Sequence, residues 1–295
     1  FLGTESDVII EQSRFVSNTA SDGGGTFAVS SGSSLQATDS IVTLSSSPAA
    51  GGGFYLSEAS LTLMNVSATN CSSGDDGGVL IGYDASNVII TNSVFTQNTA
   101  ETYGGAIGMS TGTFSMSNST VSSCQAGDSA GGIFFASAVA SITNSNISDN
   151  LAQTLGGGIY MTETVFAGEN LMLFRNTAIE NGGGIYVDVA GIFSINTTNF
   201  IQNRAINGGA LFLVNSSGLL SNTYAYNNSA SLYGGVAYMW TSNLTVSGGQ
   251  FLDSRASYGA AFGCGNARLT IENAELIRGI ATLAGGAVYA LEDAF

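Results

Sequence analysis

The amino-acid sequence predicts an all-β chain wound as a single-stranded parallel β-helix, a solenoid of about eleven coils of ~26 residues with three short strands per coil. Three observations lead there. A Gly-Gly or Gly-Ala pair recurs with its first glycine at Gly24, Gly52, Gly77, Gly104, Gly131, Gly156, Gly182, Gly208, Gly234, Gly259 and Gly285, at intervals of 25 to 28 residues. Upstream of the pairs a large apolar residue is followed three positions later by Asn, as in Phe15/Asn18, Phe95/Asn98, Ile147/Asn150, Leu173/Asn176, Phe200/Asn203 and Tyr224/Asn227, with Cys71, Cys124, Ser254 and Gly279 filling the Asn slot elsewhere. Between these landmarks the segments are short, alternating and rich in Ser, Thr, Val and Ile, which suits strands and disfavours helices.

A unit of this size cannot bury its own apolar face. Stacking coils ~4.8 Å apart lets each strand pair with its equivalents above and below, and merges the inward side chains into one core. Residues 1–295 therefore form a single β-helical domain, or a segment of a longer array. In the strand after the glycines, the third position from the first glycine is an apolar column that points inward (Phe27, Tyr55, Leu80, Ile107, Phe134, Ile159, Ile185, Leu211, Ala237, Phe262 and Val288), and the position two further on joins it. The slot between them then faces outward. It holds Phe135, Tyr160, Tyr186, Phe212, Tyr238 and Tyr289, the candidate ligand or interface residues, and its outward neighbours on the glycine side, among them Val79, Ala106, Ala210 and Val236, are small or aliphatic. Such a column can stack on itself and stabilise the coils, or can mark an interface for protein or sugar.

At the bends, glycine answers to a positive φ or to a corner too crowded for a Cβ. The Asn column is expected to form a hydrogen-bonded ladder that satisfies the turn backbone.

Composition excludes several functions. All six basic residues are arginines, histidine is absent, and the formal net charge is −15, which repels nucleic acid and anionic membrane surfaces. Without histidine there is no Ser-His-Asp, Cys-His or His-zinc chemistry. No apolar run is long enough to span a bilayer as a helix.

The segments Gly-Gly-Ala-Ile at 104–107, Gly-Gly-Ala-Leu at 208–211 and Gly-Gly-Ala-Val at 285–288, alternating with Phe-x-x-Asn at 15–18, 95–98 and 200–203, resemble the twin repeats of the polymorphic outer-membrane protein family. The resemblance covers almost the whole chain. It implies a right-handed β-helix of the pectin-lyase-like type and an extracellular or cell-surface address, as in bacterial adhesins. It carries over no binding residue, because its motifs are coil corners.

The fold's polysaccharide lyases and hydrolases gather acids and bases on one sheet, whereas the corresponding outward positions here are aromatic, small or glycine. Arg204 and Arg255 share one slot two coils apart, and Arg175 and Arg278 share another. Catalytic residues, cofactors and metal ligands are accordingly expected to be none: the turn acids Asp22, Asp75, Asp76, Glu101, Asp128 and Glu180 fall mostly one per coil, too sparse for calcium. Cys71, Cys124 and Cys264 are expected to be buried free thiols.

N-glycosylation sequons occur at Asn65, Asn70, Asn118, Asn146, Asn196, Asn215, Asn227 and Asn243, most of them away from the aromatic column. The chain begins and ends close to its outermost glycine pairs without a visible cap, which suits a longer array or end-to-end stacking. The resulting expectation is a non-catalytic, secreted structural or adhesive rod. Its partners would be other copies, head-to-tail or laterally, or other surface proteins and glycans, with no nucleic acid and no membrane insertion. The alternative is a polysaccharide-binding or polysaccharide-degrading protein that uses the aromatic column.

Overall fold

The structure, a computed structural model, describes residues 5–291; the chain end at Ala294 and Phe295 lies outside them. Every ladder is parallel and links one coil to the next. The strand after the glycines shows the register: Ile107 pairs with Ile133, then Ile159, Ile185, Leu211, Ala237, Phe262 and Val288 in turn. Three strands per coil join one 28-stranded sheet that wraps the solenoid. A coil reads Phe54–Ser57, Ser60–Met64 and Ser67–Thr69, the first, second and third faces. Beside the three expected strands stands a fourth, as short as Ser72–Ser73, which stacks into a separate 10-stranded sheet.

Alternation buries one side of each strand. The second face turns Leu61 and Leu63, Val88 and Ile90, or Phe166 inward, and the third face contributes Phe95, Val121, Ile147, Leu173 and Phe200, all at most 2% exposed. Because the core is a stack of layers, a small residue in one coil can make room for a large one in the next. Gly218 lies beneath Phe193, where a Cβ would stand 2.0 Å from the ring. Gly82 similarly makes room for Met109, whose sulfur would be 2.6 Å from a Cβ. Interiors at crystal-like density leave no slack for either.

The two corner glycines have different reasons. The first has a left-handed φ, as at Gly156 (63°) and Gly182 (68°). The second has no room: a Cβ on Gly157 would lie 2.3 Å from the carbonyl oxygen of Gly183 in the next coil. Applied along the chain, this distinction corrects the register in two coils. Gly51 and Ala130 hold the left-handed position, so Gly52 and Gly131 are second-position residues. Phe54 and Phe135 consequently point into the core at 0% exposure, and Tyr55 and Phe134 take the outward slot. Phe135 is thus a core residue and not a surface one.

The small residues on the glycine side are also interior. Val79, Ala106, Ala210 and Val236 are at most 1% exposed, because the chain is still turning there and two successive side chains fall inside the bend. The carbonyl of Ala106 accepts the amides of both Val79 and Leu80 from the preceding coil, which marks that bend.

The Asn column is a buried ladder as expected. Asn176 Oδ1 accepts from the amide nitrogen of Asn150 (3.2 Å) and from its Nδ2 (3.0 Å), while Asn176 Nδ2 donates to the Ile147 carbonyl (2.8 Å) and to Asn203 Oδ1 (3.1 Å). In the next coil but one the ladder residue is Asn228, and Asn227 stands outside it at a left-handed φ. Ala225, not Tyr224, is the inward partner of Phe200. A second ladder of serines closes the corner between the second and third faces: Ser93 Oγ accepts from Val66 N and donates to the Thr91 carbonyl, and Ser119 and Ser145 repeat the pattern.

Replacing Asn176 by Leu strands two buried donors of Asn150. At ~1–3 kcal/mol for each unsatisfied group, the expected loss is about 2–6 kcal/mol, measured as a fall in the urea midpoint. Asn176→Cys should cost less, since Cys124 already fills this slot and its sulfur faces Asn98 Nδ2 at 3.8 Å.

Candidate functional site

With the interior and the corners committed to stacking, any site must lie in the outward columns. The aromatic column does come together. From Phe134 the rings of Tyr160, Tyr186, Phe212 and Tyr238 follow at centroid distances of 5.4, 5.2, 5.2 and 5.3 Å, with Tyr186 and Phe212 only 8° from parallel. Tyr103 closes one end against Phe134 at 4.9 Å. At the other, Tyr233 packs on Tyr238 at 5.0 Å and on Tyr258 at 5.2 Å, and Tyr289 adjoins Tyr258 at 4.8 Å.

This mutual packing nearly seals the column. Tyr186, Phe212 and Tyr238 are each 7% exposed, so their faces are covered by one another. Where the column is interrupted by Gly108 and Gly263, the space is filled by the neighbouring Ile81 and Tyr238. The hydroxyl of Tyr160 donates to Asp188 Oδ2 at 3.3 Å; burial, then the nearby Asp188, raises its pKa. The arrangement suits stacking of coils better than stacking of a ligand.

A more open apolar surface lies on the second face. Val139, Val165 and Ile192 stand in one register column and are 59%, 52% and 57% exposed. Two residues further along each strand the column is small: Ser115, Ser141, Ala167 and Ser194. The ridge and the furrow, with Ile89, border a groove of about 520 Å³. The signal was present in the sequence as Val and Ile at the outward start of successive second strands. The glycine pairs do not mark it, because they fix the inward and outward register only of the strand that follows them.

A third surface is cationic. Arg175, Gln202, Arg204, Asn227, Ser229 and Arg255 line a cleft of about 530 Å³ with Thr177. Arg204 and Arg255 begin fourth strands in one register column, with Ser229 between them. Arg175 and Arg278 share the left-handed corner column, and each forks onto the aspartate one coil earlier: Arg175 onto Asp149 at 2.7 and 3.0 Å, Arg278 onto Asp253 at 2.7 Å through both nitrogens. The Arg278 fork holds the Asp253 carboxyl below its ordinary pKa.

Of the turn acids, Asp75, Asp76 and Asp128 are tied to the next coil. Asp76 accepts from the Thr102 hydroxyl and from Tyr103 N (3.1 Å), and Thr154 donates to Asp128. Among the described residues, no three Cys, Asp or Glu side chains converge as metal ligands. Cys71, Cys124 and Cys264 are buried free thiols; burial raises all three pKa values, Cys124 and Cys264 to about 11. The sequon asparagines fall on corners (Asn65, Asn70, Asn118, Asn215 and Asn227, all at left-handed φ) and on strands (Asn146, Asn196 and Asn243).

Residues 1–133 match the family model for a right-handed β-helix region. No curated protein and no solved structure matches the chain. Fold and match together make the molecule a right-handed parallel β-helix.

Two outcomes follow. The thiols should resist maleimide at pH 8 in the folded chain and react stoichiometrically in denaturant, as counted by mass spectrometry. Burial also raises Asp76 and Asp188 above the ordinary aspartate value. The folded state then binds protons more readily than the unfolded one, so these groups favour folding increasingly as pH falls from neutrality through their raised values, and their contribution is lost as pH rises again. The melting temperature should rise as pH is lowered from neutrality toward the ordinary aspartate value of about 3.9, and the rise should be smaller in Asp76→Asn/Asp188→Asn.

Proposed function

We propose that this chain is a non-catalytic β-helical rod of an extracellular structural or adhesive protein, and that it associates laterally with its own copies through the second face. The observation that carries the reading is the exposed ridge of Val139, Val165 and Ile192 beside the furrow of Ser115, Ser141, Ala167 and Ser194. A contiguous apolar strip, unlike scattered single apolar side chains, marks a contact surface. A ridge next to a furrow of the same pitch is self-complementary: a two-fold rotation about an axis in the interface plane, parallel to the ridge and between it and the furrow, lays each copy's ridge in the other's furrow.

The resemblance to polymorphic outer-membrane protein repeats supports a surface address, and the sequons fit a secreted glycoprotein. Asn118 and Asn196 end or follow second strands, so glycans there would rim the groove without filling it. The aromatic column then belongs to the scaffold.

The test is Val139→Thr/Val165→Thr/Ile192→Thr in the full chain, which keeps β-branching and touches no core position. Sedimentation velocity should show concentration-dependent association of the unmodified chain and its loss in the triple variant. A chain that remains monomeric at every concentration would overturn the reading.

A further inference from the structure

Six arginines serve a chain of net charge −15, and three of them line one cleft. Charges scattered by composition alone would not concentrate in this way. The division of labour among them is informative. Arg175 and Arg278 are engaged by Asp149 and Asp253, and Arg175 also lies over the Phe174 ring at 4.2 Å. Arg204 and Arg255 form no ion pair among the described residues. Both are exposed, and Asp253, the acid that Arg255 senses, is already held by Arg278.

The two free guanidiniums stand two coils apart in a single column, which sets them roughly 10 Å from each other at the β-ladder spacing. Ser229 lies between them, and Gln202 and Asn227 line the same cleft with amides. Tyr226, next to Asn227, presents a partly exposed ring. Planar guanidinium forks match carboxylate and sulfate oxygens, while amides, hydroxyls and an aromatic edge match sugar hydroxyls and ring faces.

We infer that this cleft binds an acidic polysaccharide, whose carboxylate or sulfate groups reach Arg204 and Arg255 while the intervening sugar lies across Ser229 and Asn227. Charge density decides against nucleic acid. A duplex carries a phosphate charge every ~1.7 Å, far denser than two guanidiniums can neutralise, and the negative field of the rest of the molecule opposes it. A polysaccharide with widely spaced acids meets the two arginines with little excess charge. The site is on a different face from the aliphatic groove and does not depend on lateral association.

The test immobilises hyaluronate, its fully methyl-esterified form, keratan sulfate and a DNA duplex, and measures the full chain by biolayer interferometry at low and moderate salt. Binding to hyaluronate, which carries only carboxylates, or to keratan sulfate, which carries only sulfates, is expected, and these two arms identify the acid group. Arg204→Gln/Arg255→Gln should weaken it on the order of tenfold or more. Arg14→Gln/Arg268→Gln removes the same charge from exposed positions elsewhere and should leave affinity nearly unchanged. Thermal melts of both variants establish that folding is intact. Equal weakening by the two variants, equal binding of the methyl ester, binding of DNA alone, or no binding at low salt would each overturn the inference.

Discussion

The parallel, in-register stacking of coils is the constraint on which the rest of this structure depends. Each residue meets its own equivalent above and below at the ladder spacing of ~4.8 Å, so every position must be compatible with itself. Asn satisfies that demand where it is buried, because its amide donates at one side and accepts at the other, and the run Asn150, Asn176, Asn203 and Asn228 hands hydrogen bonds along the axis. Charge does not satisfy it. The left-handed corner column handles charge by alternation, with Asp149 followed by Arg175 and Asp253 followed by Arg278.

The same constraint explains why so many residues other than glycine adopt left-handed backbone. Asn65, Asn92, Asn118, Asn144 and Asn170 do so at successive turns of one corner, and Gln97, Ser123, Asp149 and Arg175 at another. Each such residue costs roughly 1–2 kcal/mol in isolation, somewhat less for Asn and Asp. The corner amides nevertheless stay in the ladder, as with Asn65 N to the Thr91 carbonyl and Arg175 N to the Ile201 carbonyl. A lone coil would bear the strain without those bonds. Neighbouring coils supply them, so stability resides in the interfaces between repeats.

This dependence also governs how far the sequence could be read. Period, strand character and the Asn ladder are legible because stacking prints the same residue types every coil. What failed was the register of individual coils. Gly52 reads as a first glycine because three glycines run together at 51–53, and Gly131 does so because Ala130 substitutes at a left-handed position. A slip of one residue reverses inside and outside along a strand, so the glycine pattern alone puts Phe135 on the surface although it is buried. The hydrogen bonds at the bend, with one carbonyl taking two amides, leave no mark in residue type, and the buried side chains of Val79 and Val236 followed from them. The cationic cleft was half legible: Arg204 and Arg255 share a slot, but the opening between them needs the fourth strand, whose two-residue runs lack a periodic pattern.

Where stacking dictates a residue, function has little room to vary it. Inward positions are fixed by layer volume, corners by φ, and the outward column after the glycines by ring against ring. The outward positions of the second and fourth strands are under the weakest such demand, and there the chain departs from its own average. One carries Val139, Val165 and Ile192 where a polar residue would fold equally well, and the other carries Arg204 and Arg255 in a molecule dominated by acids. Neither departure is needed to hold coils together: three aliphatic side chains more than half exposed bury little surface, and two unpaired guanidiniums add no ion pair. Features that the scaffold does not require, repeated at the scaffold's own spacing, are best explained by what they meet outside it.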